Sequence, residues 1–153
     1  MTMAKREIVK IGDDTLRKKC REVTEFNAKL HALLDDMTET MYAADGVGLA
    51  APQIGILRRV VVIDVGEGLY EMVNPVIESA TGSQIGLEGC LSVPGKHGNV
   101  DRPMKVKVIY FDRNGVERTA VGKELFARAI CHELDHLDGT LYIDKAMDEG
   151  EDE

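Results

Sequence analysis

Tryptophan is absent, aromatic residues make up only 5% of the chain, and no apolar run nears the roughly 20 residues needed to span a bilayer. No membrane role is expected. Cysteine is scarce as well: Cys20, Cys90 and Cys131 are an odd, widely spaced set without a CxxC pair, which argues against a disulfide framework and for reduced thiols. A thiolate is then available to bind a metal. Nor is there a basic excess. The net charge of −8 opposes nonspecific binding to a phosphate backbone, and no specific nucleic acid partner is expected. The opening "MTMAKREIVKIGDD" has neither the apolar stretch nor the small-residue cleavage site of a secretory signal. The mature chain is expected to start near Met1 and to stay in the cytoplasm.

What is present suits one globular domain. With 153 residues, 44% hydrophobic and 30% charged, the chain can bury a core without a structural metal as a crutch. The absence of repeats or low-complexity linkers predicts a single domain over 1–147. The acidic stretch "DEGEDE", 148–153, reads as a solvated, disordered tail.

Between Phe26 and Ala44, Phe26, Leu30, Leu33, Leu34, Met37 and Met41 recur at i, i+3 and i+4, which predicts an amphipathic helix with Thr24 as N-cap. "VVVID" at 60–64 and "YEMVNPVIES" at 70–79 read as strands, the second at an edge or bulged because Pro75 has no N–H to give. "KVKVIYFD", an Asn-Gly turn and "VERTAV" predict an antiparallel hairpin. A last helix is expected from near Gly122, with Leu125, Phe126, Ala129, Ile130, Leu134 and Leu137 in helical spacing and Gly139 closing it. Strands between two helices without regular βαβ alternation predict an α+β domain whose mostly antiparallel sheets enclose the second helix.

That helix carries "HELDH". His132 and His136 fall one turn apart on one face with Glu133 beside them, the His-Glu-x-x-His arrangement of metal-dependent hydrolases. Two imidazoles and a third ligand leave one position for a water whose pKa falls to about 7, and the glutamate can take and return its proton. A pair of histidines bonded to backbone is the plainer alternative, but it leaves the burial of Glu133 uncompensated. Cys90, Cys131, a distant carboxylate and His97 are all candidates for the third ligand. Cys131 points about 100° around the helix from His132, and His97 is expected to be solvent-exposed in a Gly-flanked loop. Cys90 sits in "LEGCLSVPG", where glycines and a proline suit a chain bending close to something.

Three separated stretches, "GVGLAAPQIG" at 46–55, "EGCLSVPG" at 88–95 and "HELDHLDG" at 132–139, together closely resemble the peptide deformylase family. The N-terminal "IGDDTLRKKCREV" and the "VDRP" at 100–103 extend the likeness over nearly the whole chain. The resemblance implies removal of the formyl group from the initiator methionine of new chains, with formate released. It implies Cys90, His132 and His136 as metal ligands, Glu133 as general base and then acid, and Gln53 and the backbone N–H of Leu91 as donors to the formyl oxygen. It also implies Fe²⁺ as the native metal, with Ni²⁺, Co²⁺ or Zn²⁺ able to substitute. Gly46, Val47 and Gly48 are expected to let the peptide backbone of formyl-Met N-termini of nascent polypeptides approach and pair as an added strand. Val47, Leu87, Ile130 and Leu134 are expected around the methionine side chain.

Glu88 and Arg102 are expected to pair and fix the Cys90 loop, and Asp135 and Asp138 to be helix-surface or capping groups. Two features depart from the family pattern: Cys131 stands where many members carry glutamine, and an acidic end replaces the C-terminal helix that some members use at the ribosome. RNA would repel that end, so any transient ribosome contact is expected to use another surface. A metalloprotease and a catalytically silent binding module are the rival readings. "EGCLS" speaks against the first, and the retention of Gln53, Cys90, Glu133 and both histidines against the second.

Overall fold

A computed structural model of the chain describes residues 5–147 and the backbone of 151–152. The elements in order are α1 (Ala28–Ala43), β1 (Gly48–Ala50), β2 (Val60–Ile63), β3 (Tyr70–Thr81), β4 (Gln84–Cys90), β5 (Val93–Arg102), β6 (Lys105–Phe111), β7 (Glu117–Lys123), α2 (Leu125–Leu137) and β8 (Glu151–Asp152). Five strands form an antiparallel sheet in the order β1-β2-β3-β6-β7, and β4-β5-β8 form a smaller one. This is the expected α+β domain with α2 enclosed.

The β2 run is β-branched throughout because both of its faces are buried. Val60 and Val62 pack with Leu30, Leu34, Met37 and Met41 of α1, while Val61 and Ile63 pack with Phe126, Ile130, Leu134 and Leu137 of α2. The five-stranded sheet therefore has a helix on each side. α1 starts later than expected: its N-cap is Asn27, whose side chain accepts from the Leu30 N–H at 3.1 Å, and Thr24 lies outside the helix.

β3 is bulged, and it is central, with β2 and β6 on its two sides. Its register slips between Val73 and Val76, where Pro75 cannot donate and Asn74 turns to φ 51°. The Asn74 side chain closes the irregularity by accepting from the Val23 N–H and donating to the Val23 carbonyl. The β6–β7 hairpin forms as expected, with Gly115 of the turn at φ 79°.

Two further segments differ from expectation. Gly122 and Lys123 belong to β7, and α2 begins only at Leu125, after Glu124 at φ 53° has turned the chain. The "LEGCLSVPG" segment, read as a bending loop, is the hairpin of β4 and β5 with Leu91 and Ser92 at its tip. Glycine at 86, 89, 95 and 98 masked the strand alternation there. Of the acidic tail expected at 148–153, residues 148–150 and 153 lie outside the described residues, and Glu151 and Asp152 pair with His97 and Lys96. Among the described residues no helix is long and apolar enough to cross a membrane.

Candidate metal centre and catalytic pocket

α2 has almost no solvated face: eleven of its thirteen residues are buried, including His132, Glu133 and His136. A helix so enclosed can carry these polar groups only if partners receive them. β4 supplies the first partner. At its end the Cys90 Sγ comes within 3.4 Å of His136 Nε2, and the ligand atoms of Cys90, His132 and His136 all lie within 4.8 Å of one another. Cys131, as its helical position suggested, is buried in the core and outside this group. His97 is outside it too, but it is not the solvent-exposed loop residue expected. It sits half-buried on β5, lining the pocket, with its ring so close over Gly89 that a Cβ there would lie 2.9 Å from it.

Behind Cys90, His132 and His136 stands a buried ionic cluster. Glu88 accepts from His132 Nδ1 at 2.9 Å, from Arg102 through two nitrogens at 2.8 and 2.9 Å, and from Arg128 at 2.6 Å. The expected Glu88–Arg102 pair is present, and it does more than brace the loop. By accepting a hydrogen bond from Nδ1–H of His132, Glu88 turns the other ring nitrogen toward the centre. Asp135, expected at the helix surface, accepts from Arg102 at 2.7 Å and so joins the cluster. Asp138 caps α2 and pairs with Arg59.

Electrostatics reflect this arrangement. Burial opposes ionisation of Glu88, yet the Arg102 and His132 hydrogen bonds hold its pKa down to about 2. Burial also opposes a charge on His132, but hydrogen bonds to Cys90 and Glu88 raise its pKa to about 10. Burial, with repulsion from His132, presses His136 down to about 3. One positive charge is thus favoured at His132 while a second is opposed at His136. One sulfur and two imidazole nitrogens are also a chemically sound metal set, so the residues fit the ion that the sequence implied. Glu133 is buried and lacks a hydrogen-bond partner for Oε1 among the described residues, and desolvation lifts its pKa to about 7.

Gln53 lies in a 3-10 turn, Ala51–Ile54, directly after β1. Its carbonyl oxygen accepts from the Ala50 N–H at 2.9 Å, which points the amide nitrogen at Ser92 Oγ (3.1 Å) and Cys90 Sγ (3.6 Å). Chain-start residues strap these parts together: Val9 N–H donates to the Gln53 carbonyl and Ile11 N–H to the Ser92 carbonyl. β1 is the edge strand of its sheet. Gly48 passes so near α2 that a Cβ there would lie 2.5 Å from Glu133 Oε2, and one on Gly46 would lie 2.8 Å from Leu91 Cδ1. Gly46, Val47, Gly48, Gln53, Cys90 and Leu91 share one cavity of about 350 Å³ with His132 and Glu133.

The whole length of this architecture is matched by known proteins. The polypeptide deformylase family model covers residues 5–152. The chain belongs to the polypeptide deformylase family. The peptide deformylase of Thermoanaerobacter pseudethanolicus is 61% identical over 145 residues, covering 95% of this chain and 91% of that one. That of Alkaliphilus metalliredigens is 56% identical over 147 residues, covering 96% of this chain and all of the relative. Among solved structures, the Thermotoga maritima peptide deformylase superposes with a TM-score of 0.91 at 39% identity, over 97% of this chain and 100% of that chain. The Synechococcus elongatus enzyme, solved with actinonin, gives the same TM-score and identity over 97% and 82%. Peptide deformylase is the activity of this chain, a metal-dependent hydrolysis whose substrates are formylated nascent peptides.

Sequence reasoning missed several neighbours of the deformylase site. Ser92 anchors Gln53, and Leu125, Ala129 and Arg128 line the cavity, whereas Ile130 and Leu134, expected there, face the core between α2 and the five-stranded sheet. Arg128 left a signal: it is a lone charge in an apolar stretch, four residues before His132 and so on the same face.

Proposed function

We propose that this deformylase acts on formyl-methionyl N-termini in the cytoplasm and releases formate, with Cys90, His132 and His136 holding ferrous iron. The convergence of those three ligand atoms beside the buried Glu133 is the observation that carries the reading. A thiolate with two imidazoles is softer than a histidine and carboxylate set, which suits Fe²⁺ and also admits Ni²⁺, Co²⁺ or Zn²⁺. When bound, the metal supplies Lewis acidity and lowers the pKa of a water.

The chain's own groups do the rest. Gly46, Val47 and Gly48 lead into the free edge of β1, where an extended peptide can add as a strand. The formyl oxygen meets the Gln53 amide, already oriented by Ala50 and Ser92, and the backbone N–H of Leu91 at the tip of the β4–β5 hairpin. Both are neutral donors, so they stabilise a developing oxyanion without competing for the cation site. Glu133, poised near neutrality by its burial, takes the proton of the attacking water and delivers it to the departing amine. Any ribosome contact uses a surface away from the acidic chain end.

The test is formate release from formyl-Met-Ala-Ser by anaerobically purified, Fe²⁺-loaded protein, beside Glu133→Ala. Turnover in the parent that drops by about 10²-fold or more in the variant, with metal content equal, is the expected result. Equal turnover in the two proteins would remove Glu133 from this role.

A further inference from the structure

Charge on this molecule is unevenly spread. The sum of −8 conceals two segments, 17–21 and 58–59, that hold six of the nineteen lysines and arginines and no carboxylate. They are far apart in sequence, and the fold joins them. Arg21 and Arg58 pair in a parallel bridge, in which the Arg21 N–H donates to the Leu57 carbonyl at 3.2 Å and the Arg59 N–H to the Arg21 carbonyl at 2.9 Å. The Cys20 N–H donates to the Leu137 carbonyl at 2.8 Å, which sets both segments against the C-terminal end of α2.

Two of the six have a structural role. Arg17 donates to the Gly139 carbonyl and pairs with Asp144, and Arg59 donates to the Leu137 carbonyl and pairs with Asp138, so both offset the negative end of the α2 dipole. The other four have no such role. Lys18, Lys19 and Arg21 are exposed and Arg58 is half-buried, and none of them makes an ion pair among the described residues. Asp13 feels the Lys18 charge without pairing with it, and Arg58 gives Nη1 only to the neighbouring Leu57 carbonyl. Like charges gathered in this way repel one another, and an anionic partner removes the repulsion. An exposed charge is screened beyond about 8 Å in physiological salt, so local density and not the net charge decides what the patch attracts. The acidic Glu151 and Asp152 pair with His97 and Lys96 of β5, His97 being a cavity residue, and not with this patch.

We infer that Lys18, Lys19, Arg21 and Arg58 form a docking surface for the phosphate backbone of RNA. The RNA is that of the ribosome, a choice that rests on the proposed function, because the formylated nascent chain is presented there. No large apolar or aromatic side chain is exposed in the two segments, so nothing in them stacks on a base, and contact is to phosphate alone. The placement suits the chemistry. α2 runs thirteen residues at about 1.5 Å each, so the patch stands about 20 Å from Leu125 at the cavity. An enzyme held by this end keeps the cavity and the edge of β1 open to the peptide.

The experiment titrates labelled protein with protein-free ribosomal RNA across a range of salt and follows fluorescence anisotropy. For the parent, log K is expected to fall by about 3 per log unit of salt, roughly 0.7–0.9 for each of four phosphates neutralised. The triple variant Lys18→Gln, Lys19→Gln, Arg21→Gln is expected to weaken binding by about tenfold or more and to reduce the slope to about 1. A control, Lys29→Gln, Lys105→Gln, Lys123→Gln, removes the same charge from exposed lysines elsewhere and is expected to stay within about twofold of the parent. Absence of RNA binding by the parent, binding to phosphatidylglycerol vesicles alone, or equal losses in the two triple variants would overturn the inference. Turnover of formyl-Met-Ala-Ser separates the two readings. If the parent turns the peptide over and does not bind RNA, the docking surface alone is removed; if it binds RNA and does not turn the peptide over, the proposed function falls and the choice of the ribosome with it.

Discussion

Glu88 Oε1 accepts from His132 Nδ1 at 2.9 Å, and the same carboxylate is clamped through both oxygens by Arg102. A charge on β4 thereby orients His132 on α2, and the arginine that secures it comes from the end of β5. The β4–β5 hairpin and α2, distant in sequence, are tied into one centre by a buried ionic cluster.

Removing Glu88 should accordingly harm both metal retention and folding. Glu88→Ala is expected to weaken metal affinity by about 10- to 100-fold, because the orientation of His132 is lost. It should also cost about 3–5 kcal/mol, since Arg102 is left buried without its main partner. Metal content after dialysis and urea denaturation measure the two effects separately. Unchanged values for both would show that the pair does not fix the site.

Acid stability carries the signature of the same residue. The folded pKa of Glu88 is about 2 against an ordinary 4.5, so its ionised form is favoured by folding. That contribution is complete above about pH 4.5 and is lost as the pH falls toward 2. Denaturation of the parent followed across this window should show stability dropping with acid. Glu88→Gln should be less stable at neutral pH and show a shallower drop, and parallel curves would contradict the assignment.

Gly48 is required for the approach of β1 to Glu133. Gly48→Ala is expected to fold, because Gly48 does not occupy the left-handed region that favours glycine. Its Cβ would nevertheless fall 2.5 Å from Glu133 Oε2, so the carboxylate must move. A displacement of this order should lower kcat/KM by about 10²-fold with metal bound normally. Turnover at the parent's level would show that Glu133 tolerates the shift.

At the end of α2 the constraint is on the backbone. Gly139 has φ 77° and packs against Arg17, where an added Cβ would lie 2.5 Å from the carbonyl oxygen. Gly139→Ala combines left-handed strain with a clash against main chain, and a loss of about 1–3 kcal/mol in urea denaturation is expected. Stability equal to the parent would mean that the chain at Arg17 moves aside freely.

Much of this was legible in one dimension because the signals are local. The period of α1, the β-branched run of β2, the Asn-Gly turn before β7 and the one-turn spacing of His132 and His136 each depend on neighbours within a few residues. The β4–β5 hairpin was not legible: its glycines remove the side chains whose alternation would have marked strands, and its residues are justified by what α2 presses against them.

By itself, the sequence determined that a metal-binding helix exists, which residue types could serve as its ligands, and which family's motifs surround it. Bringing Cys90 to His136, setting Glu88 between two arginines and a histidine, and placing Arg128 in the pocket wall were decided by tertiary structure. Each of these depends on the register of one strand against a buried helix. Helical periodicity arises from a repeating local geometry, whereas contacts from β4 to α2, 40 to 46 residues apart along the chain, form only when the sheets close around α2.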